Sequence, residues 1–238
     1  MALTRTVGSY IMGPLNDRSR WLEWENFMVT TNPDGSHTAQ SVTRFPGGSI
    51  VRHVTQTVDA QFRPMDGFVR LFVGKEYQGG LVRRVVGDQV TSLLLSPDGS
   101  PVQEATLPGG PDLVLGYHPT VVEGWKFTHC DRGKSGTQHV RILTTSATWN
   151  GGQMSHGREV TLAIEYLGKQ DVNVPAGTVT FSCDHYLWHT GAIDADIEVW
   201  TAGPDRICVR VVGHSKGVAY ELDRYDQKQF GDVAEIDF

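Results

Sequence analysis

The chain reads as an all-β protein: a single antiparallel domain curled into a half-open or lipocalin-like barrel around a cavity, with few short helices. Three observations predict this. Turn-forming clusters of Gly, Pro, Asn and Asp recur along all 238 residues. The runs between them are rich in Val, Thr, Ile, Phe and Tyr, and their spacing suits a sandwich or barrel rather than βαβ units. Within the runs, residues alternate with the two-residue period of a strand.

The punctuation can be followed in order. The first half carries "NPDG" at 32–35, "PGG" at 46–48, "PMDG" at 64–67, "QGG" at 78–80 and "SPDG" at 96–99. The second half carries "PGGP" at 108–111, "NGG" at 150–152, "PAG" at 175–177, "AGPD" at 202–205 and "HSKG" at 214–217. A helical period is found only over Trp21–Met28 and in the tail after Asp226. The stretch "SPDGSPVQEATLPGGPD" (96–112) predicts a long loop within one domain spanning 1–238.

The faces of the strands are mixed. In "SIVRHVTQTV" one face carries Ile50, Arg52, Val54, Gln56 and Val58, and the other Val51, His53, Thr55 and Thr57. A simple sandwich strand separates apolar from polar more cleanly. A curved sheet whose concave side lines a partly polar cavity accounts for the mixture. Arg52 and His53, or Tyr117 and His118, are then candidates for the mouth of that cavity.

Composition narrows the function classes. The formal net charge is −6, and the Lys and Arg residues are scattered. That excludes the clustered basic face of a nucleic-acid binder. An acidic surface also repels anionic lipid headgroups, and no run of about eighteen apolar residues spans a bilayer. Cys130, Cys183 and Cys208 form neither a CxxC pair nor a zinc spacing. Buried thiols in a reduced cytoplasmic protein are the economical reading.

Two motifs are misleading. "GHSKG" (Gly213–Gly217) matches the serine-hydrolase pattern, but its flanks "RICVRVV" and "VAYELDRY" are both strands. The motif therefore sits on a hairpin, not on the strand-to-helix turn a nucleophile needs. "RGKSG" (Arg132–Gly136) lacks the required upstream Gly of a phosphate loop, because position 128 is Thr. With no GxGxxG and no HExxH, the sequence implies no cofactor and no metal.

"CDHYLWHTGAIDADIEVW" (Cys183–Trp200) carries the densest chemistry. A two-residue turn at Gly191-Ala192 pairs His189 with Asp194, Leu187 with Asp196, His185 with Glu198 and Cys183 with Trp200. All eight share one face. A carboxylate bonded to an imidazole orients the ring and raises its basicity. His185, Glu198 and Asp196 are thus the catalytic candidates. Trp200, Leu187, His189 and Asp194, with Arg52 and His53, are the substrate-binding candidates. His185 and His189 lie about 13 Å apart along the strand, too far to share one ion. Alternatively these are solvent-facing charge pairs, and Tyr186, Trp188, Ala195, Ile197 and Val199 form the core side.

The segment 172–222, with "VPAGT" (Val174–Thr178), "DIEVW" (Asp196–Trp200) and "YEL" (Tyr220–Leu222), resembles a group of bacterial half-barrel proteins of unknown function. Their long antiparallel sheet curls like the lipoprotein-carrier fold. The resemblance implies a curved sheet around an apolar ligand site and transfers no catalytic residue. Many members are exported, and this chain opens without a recognisable leader.

Two functions follow. One is a cofactor-independent enzyme acting on a small hydrophobic or aromatic molecule by His–carboxylate chemistry, as a lyase, isomerase or hydratase. The other is a non-catalytic carrier or sensor of such a ligand. Edge strands of an open barrel are compatible with a homodimer.

Overall fold

The computed structural model describes residues 3–17, 19–146, 152–176, 180–189 and 196–230. The first eight strands are β1 (Thr4–Pro14), β2 (Glu23–Thr31), β3 (His37–Arg44), β4 (Ile50–Val58), β5 (Pro64–Val73), β6 (Glu76–Val86), β7 (Gln89–Leu95) and β8 (Pro101–Pro108). They continue as β9 (Leu113–Gly116), β10 (Thr137–Thr144), β11 (Glu159–Asn173), β12 (Thr180–His189), β13 (Ile197–Ala202), β14 (Ile207–Gly213) and β15 (Val218–Gln229). All belong to one sheet in the order β8-β7-β6-β5-β4-β3-β2-β1-β15-β14-β13-β12-β11-β10-β9. Neighbours are antiparallel except β9 and β10, which run parallel. The sheet curls without closing, because its end strands β8 and β9 do not pair with each other.

Register shifts bend the strands. They fall at Ser9/Tyr10, Thr57/Val58, Leu71/Phe72, Leu94/Leu95, Tyr166/Gly168 and Trp200/Thr201. Each extra residue kinks its strand and increases the local twist. Two of the expected turns prove to be strand. "QGG" at 78–80 lies inside β6, where Gly79 takes a φ of 106° beside one of these bulges. "PMDG" at 64–67 opens β5, and the turn before it is made at 59–63 instead.

Three further expectations are corrected. Residues 23–28 are strand, not helix, and β2 alternates buried and half-buried positions along its length. Glu23 and Glu25 occupy its buried positions, which is why its inner face lacked the apolar signature of a strand. The tail from Asp226 continues β15 to Gln229. The predicted loop 96–112 contains β8, which pairs with β7 from Gln89–Pro108 to Leu95–Pro101. Its side chains are mostly exposed, so no apolar period marks it.

The hollow of the curl is filled by the chain itself. After β9 come a short helix, α1 (Thr120–Glu123), and a 3-10 segment over Gly124–His129. Leu113, Leu115, Tyr117, Val121, Trp125 and Phe127 of this stretch are almost wholly buried. Polar side chains tie it to the surrounding strands. Gln56 Nε2 donates to the Leu115 carbonyl at 3.3 Å, and Trp125 Nε1 donates to the Asp205 carbonyl at 2.9 Å. Arg83, buried on β6, spans the hollow to the carbonyls of Leu143 (3.0 Å), Thr144 (2.5 Å) and His156 (2.7 Å). Its charge is therefore spread over strong dipoles rather than left bare. Gly67 is required here, since a Cβ would stand 2.1 Å from the Tyr117 hydroxyl.

The mixed faces of β4 now have a cause. Ile50, Arg52, Val54, Gln56 and Val58 all point inward and are buried. Arg52 and Gln56 are partnered by groups from other segments of the interior, not by solvent.

Candidate functional site

The 183–200 hairpin forms in a register displaced from the expected one. His185 opposes Trp200 and Leu187 opposes Glu198. Each partner therefore sits two positions farther along β13 than the turn at Gly191-Ala192 would place it. Residues 190–195, including Asp194 and Ala195, lie outside the described residues. A two-residue displacement leaves the faces unchanged, because side chains alternate with period two. His185 and Glu198 become diagonal neighbours, and His185 Nε2 lies 2.8 Å from Glu198 Oε2. His189 Nδ1 lies 3.0 Å from Asp196 Oδ1.

These groups share the outer face of the sheet. His185 stacks on Trp200 with ring centroids 4.3 Å apart and planes 9° from parallel. Trp200 donates through Nε1 to Gln170 Oε1 at 2.8 Å, and Arg210 lies over its ring at 5.7 Å. The second oxygen of Glu198 meets His214 Nε2 at 2.5 Å. Partial burial pulls the His185 pKa below its ordinary value, and the Glu198 bond only partly offsets that. Leu187 lies on the same face beside Glu198. Among the described residues, no set of three His, Cys, Asp or Glu side chains is arranged to hold a metal ion.

Arg52 and His53 point in opposite directions. Arg52 is buried inside, with Nη2 3.2 Å from Glu23 Oε1. His53 is exposed on the outer face, 5.9 Å from the Phe72 ring. No single pocket mouth contains both.

The inner face of the same hairpin faces a cavity of about 680 Å³. Trp188, Ile197 and Val211 form one wall, and Ile142, Val160 and Leu162 another. Met12, Val218 and Tyr220 close a third side, and His118, Thr120, Glu123 and Lys126 supply a polar end. This volume falls within the range of small-molecule sites, as does a mostly apolar lining with a few polar groups.

The polar end is electrically quiet. Lys126 is paired with Glu123, and its ammonium lies 5.2 Å from the centre of the Trp188 ring. Arg52 is paired with Glu23, which also accepts from the Tyr220 hydroxyl at 3.2 Å. Burial, with Arg52 and Lys126 nearby, pushes His118 down to about 3, so its imidazole is neutral at ordinary pH. Glu25 accepts the backbone N–H groups of Thr120 and Val121 at 2.7 and 3.2 Å. Burial nevertheless raises it to about 8, so it is largely protonated at neutral pH. The buried indole N–H of Trp188 has no hydrogen-bond partner among the described residues, leaving one donor at the wall.

Sequence reasoning pointed to His118 and to the apolar face of Trp188 and Ile197. It gave no sign of Glu123 and Lys126. Their spacing suggests only a helical ion pair, and their place in the cavity depends on the chain between β9 and β10 folding back into the hollow.

No protein-family model matches this chain, and no curated protein matches it. Among solved structures it is similar to a β-barrel-like protein of domain of unknown function DUF1849 from Brucella abortus. That likeness covers 97% of this chain and 99% of the other, at 12% identity and a TM-score of 0.57. A DUF1089 family protein from Pseudomonas aeruginosa matches over 82% of this chain and 91% of its own, at 12% identity and a TM-score of 0.48. The first likeness establishes a shared β-barrel-like fold.

Proposed function

We propose that the protein is a carrier or sensor that encloses one small, mainly apolar, uncharged molecule inside the curled sheet. The observation behind this is the cavity of about 680 Å³, whose walls are mainly apolar and whose Lys126 is matched by Glu123. Burying a charged ligand against those apolar walls is costly. An apolar ligand gains from burial, and a single acceptor on it can satisfy the Trp188 N–H.

Acid–base catalysis by His185 and Glu198, aided by Asp196, is a second reading, favoured by the 2.8 Å contact between the first two. It draws less support, because those groups lie on the opposite face of β12 and β13 from the cavity. Any substrate of theirs would bind on the outer surface.

The test is native mass spectrometry of the purified chain for a retained small molecule, followed by titration with the neutral fluorophore N-phenyl-1-naphthylamine. Saturable binding of one probe, displaced by the retained molecule, supports enclosure. Absence of both would remove the proposal.

A further inference from the structure

A second, differently built pocket lies farther along the inner face of β12. Behind its two arginines lies Asp184, whose carboxylate is almost fully buried yet meets three cations. Arg132 Nη1 and Arg206 Nη1 stand 2.9 and 2.6 Å from Oδ2, and Lys169 Nζ stands 2.8 Å from Oδ1. The Tyr166 hydroxyl also donates to Oδ1, at 3.1 Å. Burial pulls Asp184 upward, but the three cations outweigh it and hold the carboxyl below its ordinary value.

One carboxylate does not neutralise three cations. Asp131, which also borders the pocket, is paired with Lys134 at 3.8 Å, so that pair together leaves the balance unchanged. The group thus carries a surplus of about two positive charges. Among the described residues, each guanidinium spends only Nη1 on Asp184, leaving the rest of its fork of donors free. Both arginines border a pocket of about 390 Å³, together with Phe127, Thr128, Cys130, Asp131, Gly133 and Tyr186.

Arg206 is held firmly. It closes the turn after β13 with a left-handed φ of 52°, a conformation costly for a residue with a side chain. The turn is pinned by Asp205, which accepts from Thr6 Oγ1 and Thr31 Oγ1, both at 2.7 Å. On the other side the Arg206 carbonyl packs against Gly124, where a Cβ would stand 1.9 Å away.

We propose that this pocket binds a dianionic phosphate group, whose charge matches the surplus and whose oxygens suit two guanidinium forks. The Phe127–Tyr186 stack, with centroids 4.8 Å apart, lines this pocket and not the apolar cavity. The proposal does not depend on what the cavity holds. A small soluble molecule and a lipid headgroup both offer such a phosphate, and the test separates the two.

Isothermal titration of the full chain with inorganic phosphate is the first arm. Flotation with phosphatidylcholine vesicles, with and without phosphatidic acid, is the second. Arg132 and Lys169 are 44% and 60% exposed, so Arg132→Gln and Lys169→Gln are expected to fold. Each should weaken binding about tenfold, the loss expected for a charge-assisted hydrogen bond. Lys228→Gln, on β15 and outside this pocket, should change it less than about twofold. Binding of free phosphate that depends on Arg132 and Lys169 assigns a soluble ligand. Binding confined to phosphatidic acid vesicles, with the same dependence, assigns a headgroup. Binding in neither arm, or binding that Arg132→Gln leaves unchanged, overturns the proposal.

Discussion

The Glu25 carboxylate on β2 accepts the Thr120 amide at 2.7 Å, joining a strand of the curled sheet to the first turn of the helix held inside it. Two orphan N–H groups of that helix are thereby satisfied, and the buried acid sits at the positive end of the peptide dipoles. Burial still outweighs those bonds and raises the acid to about 8. In the unfolded chain it ionises near its ordinary 4.5. Between these values the unfolded state has lost the proton and the folded state retains it. This group therefore erodes stability as pH rises through that window, by up to about 1.4 kcal/mol per pH unit. Urea unfolding at intervals from pH 5 to 8 should show that slope, and Glu25→Gln should flatten it. Equal slopes for the two proteins would refute the assignment.

Arg52 and Glu23 form a buried pair, each side chain 4% exposed. Arg52→Ala should lower stability by about 3–5 kcal/mol, because it strands a carboxylate in the interior. The double variant Arg52→Met with Glu23→Leu should recover most of that loss. Chemical denaturation of the three variants measures the coupling.

Ile197 projects from β13 into the cavity beside Trp188. Ile197→Trp should occupy space that a ligand needs. Affinity for N-phenyl-1-naphthylamine should fall by about tenfold or more, with overpacking costing about 1–3 kcal/mol of stability. Undiminished probe binding would place the ligand elsewhere.

Glu198 holds His185 and His214 on the outer face. His185 already titrates below its ordinary value, so the unfolded chain takes up that proton first and stability declines as pH falls. Glu198→Gln removes the partner that favours the imidazolium and should lower the His185 pKa further, as read by NMR titration of the ring proton. The stability cost should stay within about 1 kcal/mol, as for a partly exposed pair. Probe affinity in the cavity should be unchanged. A large loss of affinity would mean that the outer face does contribute to the enclosed site.

The legible parts of the fold and the illegible ones differ in kind. "SIVRHVTQTV" announced its strand and correctly grouped Arg52 with Ile50, Val54 and Val58, but not that this whole set turns inward. "HSKG" was correctly placed on a hairpin, while "QGG" hid a bulge, because Gly serves turns and bulges alike. In β2, inward Glu23 and Glu25 disguised a strand as a helix. Their partners, Arg52, Thr120 and Val121, lie between 29 and 96 positions away and are invisible to any local window.

From local pattern alone most strands and the two faces of each were legible, since alternation is a property of the extended backbone, while β2 and β8 were not. Even a hairpin register displaced by two positions left the grouping of His185, Leu187, Glu198 and Trp200 intact. Only the tertiary structure decided which face became concave and where the register settled. It also decided that residues 113–129 fold into the hollow and bring Glu123 and Lys126 to the cavity. Those outcomes depend on bulges and on contacts between distant segments, whose free energies appear only once the sheet has curled.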